Sequence, residues 1–174
     1  MAILRFQEVG FKVTSMPTNR NYESENGQDV LGYSFSDVTK GVHSLTVEPL
    51  TIDGNDDFSK RLDYINTFGQ QGTDIKGKFM FLYRYKTITG LPFAFMQEAN
   101  IIPQDFGTDT GSLKASALIE LVGPEDWGTF DVSATSIANR FISLGGNIPA
   151  MEDFTYTSNA INREDYRLYY VVED

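Results

Sequence analysis

Residues Lys78 to Ile88 read K-F-M-F-L-Y-R-Y-K-T-I. Phe79, Phe81, Tyr83 and Tyr85 alternate strictly with Met80, Leu82, Arg84 and Lys86. A period of two is the signature of a pleated strand, and no helix can place these rings on one face. Thr89-Gly90 reads as a turn, and Pro92 to Ala99 (PFAFMQEA) as the returning strand, with Pro92 at the hairpin's mouth. The fold must therefore be built around an aromatic hairpin.

Other strand-like runs flank it. They are Ile3 to Phe6, Phe11 to Thr14, Val30 to Phe35 (VLGYSF), Ser44 to Ile52 (SLTVEPLTI), Leu113 to Val122 (LKASALIELV) and Tyr166 to Val172 (YRLYYVV). Pro49 inside the fourth of these points to an edge strand, a bulge or a break, because proline cannot donate to a ladder. Pro17 to Asp29 (PTNRNYESENGQD) reads as a long polar loop, an extended arm in a chain that meets neighbours. Gln104 to Gly111 reads as a polar linker, and Gly123-Pro124 as a break in the strand pattern.

Asp56 to Phe68 carries the clearest helical pattern. Phe58, Leu62 and Ile65 form one stripe, Asn55 or Asp56 suits the N-cap, and Gly69 suits the stop. A second helix is expected over Ser133 to Leu144, ended by Gly145-Gly146. The expected fold class is mainly β with one or two helices (β-rich α+β). It is an antiparallel sandwich or barrel flanked by a helix, with a long hairpin and extended loops.

Composition narrows the chemistry. The 174 residues include one histidine and no cysteine, with formal charge −10. A thiol nucleophile is impossible, and a zinc site would rest on His43 and carboxylates, which is poor ligation for that metal. A Ser/His/Asp triad has only His43 as base, and His43 reads as a structural or surface residue. No catalytic, cofactor-binding or metal-ligating residue is assigned, and no cofactor is expected. Residues 101–174 hold 4 basic and 12 acidic groups, so the acidity is concentrated there. Such a surface repels nucleic-acid phosphates. The N-terminus lacks the apolar run of a signal peptide, and no segment approaches the roughly 20 apolar residues of a membrane span. The expectation is a soluble protein made in a cytoplasm.

Three motifs come close to a known chemistry and depart from it. Gly72 to Phe79 fits G-x-x-x-x-G-K, but Phe79 stands where a P-loop has Ser or Thr, and a strand rather than a helix follows. Asp53, Asn55 and Asp57 begin like a calcium loop, yet Phe58 and Tyr64 replace its glycine and its bidentate glutamate. Lys76 to Tyr83 has the aromatic flavour of an RNA-binding strand, with Lys78, Phe79 and Met80 off the pattern. Each reads better as structure: a glycine-containing turn, an acidic helix cap and a core strand.

The segment from Ser44 to Leu121 runs strand, acidic turn, helix, glycine-rich link, aromatic hairpin, closing strand. SLTVEPLTIDGNDDFSKRLDYI and EANIIPQDFGTDTGSLKASALIEL carry that order, with Ala99, Pro103, Leu113, Ala115 and Glu120 as punctuation. YSFSDVTKG (Tyr33 to Gly41) adds a fainter echo. This order resembles the tail-tube and baseplate-type structural proteins of tailed bacteriophages and contractile injection machines. The resemblance implies a tail-tube-like β-sandwich or barrel domain over residues 1–122. Residues 123–174 then form a C-terminal extension that packs on or completes that domain.

It further implies a non-enzymatic subunit of the virion tail (tube, baseplate ring, or tail-tip or neck component), made in the host cytoplasm. Such a subunit assembles with itself into a ring, typically hexameric, and meets neighbouring tail or baseplate proteins. DNA passes through the lumen without specific binding, and some of the acidic excess after residue 100 is expected to face it. Two other readings stay open. One is a carbohydrate-binding β-sandwich recognising host-surface glycans, with Tyr and Phe as stacking rings and Trp127 as the sole tryptophan. The other is a hydrolase working through paired carboxylates.

Overall fold

The computed structural model describes residues 4–9, 20, 22–41, 43–109, 111–131, 140–156 and 166–173. The chain is mainly β, with antiparallel sheets and, among the described residues, one α-helix. The strands are β1 (Leu4–Glu8), β2 (Glu23–Gln28), β3 (Ser34–Thr39), β4 (His43–Thr51), β5 (Lys76–Ile88), β6 (Leu91–Asp109), β7 (Ser112–Phe130), β8 (Phe141–Ser143), β9 (Thr155–Tyr156) and β10 (Tyr166–Glu173). The helix α1 spans Asp57–Phe68. Eight strands form one sheet with the path β1-β10-β5-β6-β7-β4; β8 adds to β7 and β9 to β5. β2 and β3 form a separate two-stranded sheet.

The alternation on β5 sorts its side chains to two cores. Phe79 and Phe81 join Phe95, Ile101, Ile119 and Leu168 on one face, under α1. Met80 and Leu82 join Ala94, Met96, Phe130 and Val171 on the other. Burial of each large apolar side chain contributes about 1.5–3 kcal/mol, so this strand alone anchors both cores. Phe6 on β1 meets Phe130 at the end of β7, with ring centroids 5.3 Å apart. These strands lie far apart along the sheet path, so the sheet is rolled towards a barrel and closed there by rings.

α1 follows the sequence pattern closely. The Asp56 carboxylate accepts from the Ser59 backbone N–H, and Gly69 takes the left-handed conformation (φ 59°) while donating to Ile65 O. Phe58, Leu62 and Ile65 are buried. Phe58 packs on Phe79 and Tyr170 with centroids 5.7 and 5.6 Å away. β4 is an edge strand with a register shift between Val47 and Leu50. Pro49 falls inside that shift, where the absent N–H breaks no ladder bond.

Several expectations are corrected. Residues 23–28, expected in a polar loop, are β2, paired in register with β3. Their lack of apolar residues hid the strand, since neither face is buried. The expected strand over 30–35 is displaced: the chain turns at Asp29–Tyr33, and the strand begins at Ser34. Gln104 to Asp109, expected as a linker, continues β6 with a shift after Pro103. β7 runs through Gly123-Pro124 to Phe130, because the break is absorbed by a bulge rather than a turn. Of the expected helix at 133–144, residues 133–139 lie outside the described residues, and 141–143 are strand β8. Gly128 beneath them leaves room for that strand: a Cβ there would stand 2.3 Å from Ile142 O. The expected strand at 11–14 also lies outside the described residues.

Candidate functional site

The motifs set aside in the sequence find structural places. Gly72–Ile75 is a 3-10 turn that leads from α1 into β5. Asp53 Oδ1 accepts from Asn55 N, and Asp57 pairs with Arg5 and Lys60, so both carboxylates serve the helix start. The Arg5 guanidinium is the main reason the Asp57 carboxyl lies below its ordinary range. Phe79 and Phe81 are fully buried and present no platform for bases. His43 is only 5% exposed. Its ring stacks 5.8 Å from Phe95 and 6.2 Å from Phe81. Among the described residues no group of three His, Asp or Glu is placed to hold a metal ion. No helix among them is long and apolar enough to cross a membrane.

Among the described residues, a run of exposed apolar side chains lies on the β2–β3 hairpin. Val30, Leu31, Tyr33, Phe35 and Val38 are all exposed, as is Tyr22 at its base. Within the hairpin, Asp29 Oδ1 accepts from the backbone of Leu31 and Tyr33 and shapes the turn. Phe35 lies across Gly27, where a Cβ would come within 2.6 Å of its ring. Glu25 stands directly opposite Asp37. Like charges facing each other across a ladder are destabilising. A lone hairpin is marginal in water, and this one carries an internal repulsion and an apolar tip. The hairpin is therefore an arm whose sequence does not optimise its own stability.

The arm's two legs straddle a cavity of about 510 Å³. Arg20, Lys40, His43, Gln97, Glu125 and Trp127 are among its lining residues. Gln97 faces a bulge: Val122 pairs with Glu98 and Asp126 with Met96, which leaves Gly123 to Glu125 opposite it. Gly123 takes φ +80° there, and Gln97 Nε2 donates to its carbonyl at 2.9 Å. The bulge turns Glu125 towards Arg20. The two side chains make bonds of 2.5 Å (Nη1 to Oε1) and 3.1 Å (Nη2 to Oε2). The guanidinium also lies 5.7 Å from the Trp127 ring centroid. The hydrogen bond to Glu125 is the main reason the Arg20 pKa is raised.

A second bulge works on β5. The pairing with β6 shifts between Tyr83 and Thr87. Strict alternation would separate Lys86 from Tyr83; instead its ammonium lies 4.4 Å from that ring and 5.2 Å from both Phe93 and Phe154. Burial lowers the Lys86 pKa. Neither bulge, nor the Arg20–Glu125 pair separated by 105 positions, was legible in the sequence. The Gly-Pro at 123–124 is the one local signal, and from the sequence alone it looks like a break.

Among the described residues, the main sheet ends in two edges of different kinds. β4 is interrupted at Glu48-Pro49, whereas β1 is an uninterrupted edge held to the molecule through β10. Comparison with protein-family models, with curated proteins and with solved structures returns no match.

Proposed function

We propose that the protein is a non-enzymatic structural subunit of a phage tail, a tube, baseplate-ring or tail-tip or neck component. Copies join into a closed ring around a DNA channel. The supporting observation is the β2–β3 arm, which displays Val30, Leu31, Tyr33 and Phe35 to solvent. An arm of this composition gains stability when a neighbour covers it. Burying its four large apolar side chains would contribute about 1.5–3 kcal/mol each. Association itself costs about 4–15 kcal/mol. One arm contact is therefore marginal, and a ring, in which every subunit both gives and receives a contact, is the arrangement that closes the deficit. Among the described strands β1 ends the sheet path, and a terminal strand can offer backbone pairing to the same neighbour. The acidic excess of residues 101–174 suits a lumen that lets phosphates pass without adhering.

Mass photometry and negative-stain microscopy over a concentration series test this reading. Ring-sized particles with a central hole support it; a monomer at every concentration removes it. The carbohydrate-binding alternative has weaker support. Trp127 is already engaged by Phe93, Phe95 and Arg20, with ring centroids 6.0 and 5.9 Å away and the guanidinium 5.7 Å away. Glycan-array binding by the monomer would favour that alternative.

A further inference from the structure

The two legs of the arm are fastened in different ways. The second leg runs through Lys40 and Gly41 into β4, whose first residue, His43, is buried on Phe81 and Phe95 and paired with Leu121. Backbone pairing and a buried ring hold that leg to the sheet. On the first leg, the Arg20 side chain crosses to Glu125 and Trp127 on β7. Arg20 of the first leg and Lys40 and His43 of the second line one cavity of about 510 Å³.

We propose that Arg20 and Glu125 form a positioning clamp that sets the direction in which the β2–β3 arm leaves the body, and so its reach to a second copy of this chain. The last clause rests on the assembly reading above; the clamp itself does not. Three features suit this pair to the role. The contact is a two-bond fork, which fixes orientation as well as distance. The Glu125 side chain is 7% exposed and that of Arg20 is 22% exposed, so salt screens the pair less than a surface ion pair. Glu125 is presented by the bulge at Gly123–Glu125, and bulges re-aim side chains in this way. The Gln97 bond to Gly123 O holds the bulge in shape. The clamp therefore joins the first leg to β7 of the main sheet.

The chain has no native cysteine, so two spin labels can be placed without background, at Leu31→Cys on the arm tip and Asn66→Cys on the exposed side of α1. Pulsed electron-resonance distances are measured on dilute monomer, with near-ultraviolet circular dichroism as a check that the sheet is intact. The expected result is a single narrow distance peak for the labelled parent and loss of that peak in Glu125→Gln. Arg20→Lys keeps the charge but not the fork, and it broadens the distribution as well. The reversed pair, Arg20→Glu with Glu125→Arg, brings back a narrow peak. A role in stability alone would not produce that recovery.

An unchanged peak in Glu125→Gln overturns the clamp, and so does a reversed pair as broad as the single variants. Assembly is read separately on unlabelled protein. If Glu125→Gln broadens the arm while the unsubstituted protein never associates, the clamp stands and the assembly reading falls. If Glu125→Gln broadens the arm and ring formation proceeds undiminished, the link from arm direction to reach is overturned.

Discussion

The β5–β6 hairpin and the β2–β3 hairpin are both antiparallel pairs, and they obey opposite rules. On β5, both faces are occupied: Phe79 and Phe81 pack under α1, and Met80 and Leu82 pack in the second core. On β2 and β3 every side chain except the small Gly27 is exposed, and Glu25 faces Asp37. Burial sets the register of the first hairpin. Backbone bonds, the Asp29 turn and the contact of Phe35 with Gly27 set the register of the second. A hairpin with a core on each side is fixed by the fold; one with no core on either side draws no stability from it.

The same contrast explains what the sequence revealed. β5 and α1 were readable because burial imposes periodicity, and Asp56 and Gly69 cap the helix as their chemistry requires. β2 (ESENGQ) has no apolar residue, so hydrophobic alternation had nothing to report. Its signal was instead Asp29 and Gly32, an Asx-type turn with φ +82° at the glycine. The bulges at 84–86 and 123–125 were invisible because a bulge is a property of the pairing, not of one strand. That is why the side-chain companions of Lys86 and Glu125 could not be read locally.

The contrast can be broken or sharpened by substitution. The largest effect is expected for Leu62→Asp, which puts a charge at a fully buried position under α1. A buried unpaired charge costs several kcal/mol, about 3–5, so circular dichroism should show an unfolded chain. A folded variant would mean that α1 does not close the core.

His43→Ala comes next. Of the structural and surface readings the sequence leaves for His43, the buried stacked ring supports the structural one, so the change is a cavity mutation costing about 2–3 kcal/mol. Denaturant midpoints measure this. A shift below about 0.5 kcal/mol, the range of ordinary surface changes, would free β4 and the arm's second leg from the core.

Thr89→Asn should act in the opposite direction. Thr89 is β-branched and sits at φ +51° in the turn between β5 and β6, where asparagine is better tolerated. A gain of about 0.5–1 kcal/mol is expected, read as a raised melting temperature. No gain would mean that the Thr89 hydroxyl bond to Ile88 O compensates the strain.

The smallest effect is electrostatic. The Asp57 carboxyl is lowered below its ordinary value of 3.8, chiefly by Arg5. A depressed carboxyl stabilises the fold above its unfolded pKa, and that contribution is lost as pH falls through the folded pKa. The pair is partly exposed, with Arg5 at 40%, so the contribution is at most about 1 kcal/mol. Asp57→Asn should lose this contribution at neutral pH, at most about 1 kcal/mol, and converge with the parent as pH falls below 3.8, which flattens the acid limb. An equally steep acid limb would assign that limb to other carboxylates.

The most direct measurement compares sedimentation velocity of the unsubstituted protein with that of Leu31→Asp over a wide concentration range. Leu31 is 78% exposed at the arm tip, so the variant should keep its melting temperature, with a stability change within about 0.5 kcal/mol, and lose the ring-sized species that the proposed assembly requires of the parent. If the parent stays monomeric throughout, or if Leu31→Asp assembles as the parent does, the arm is not the element through which this chain meets its neighbours.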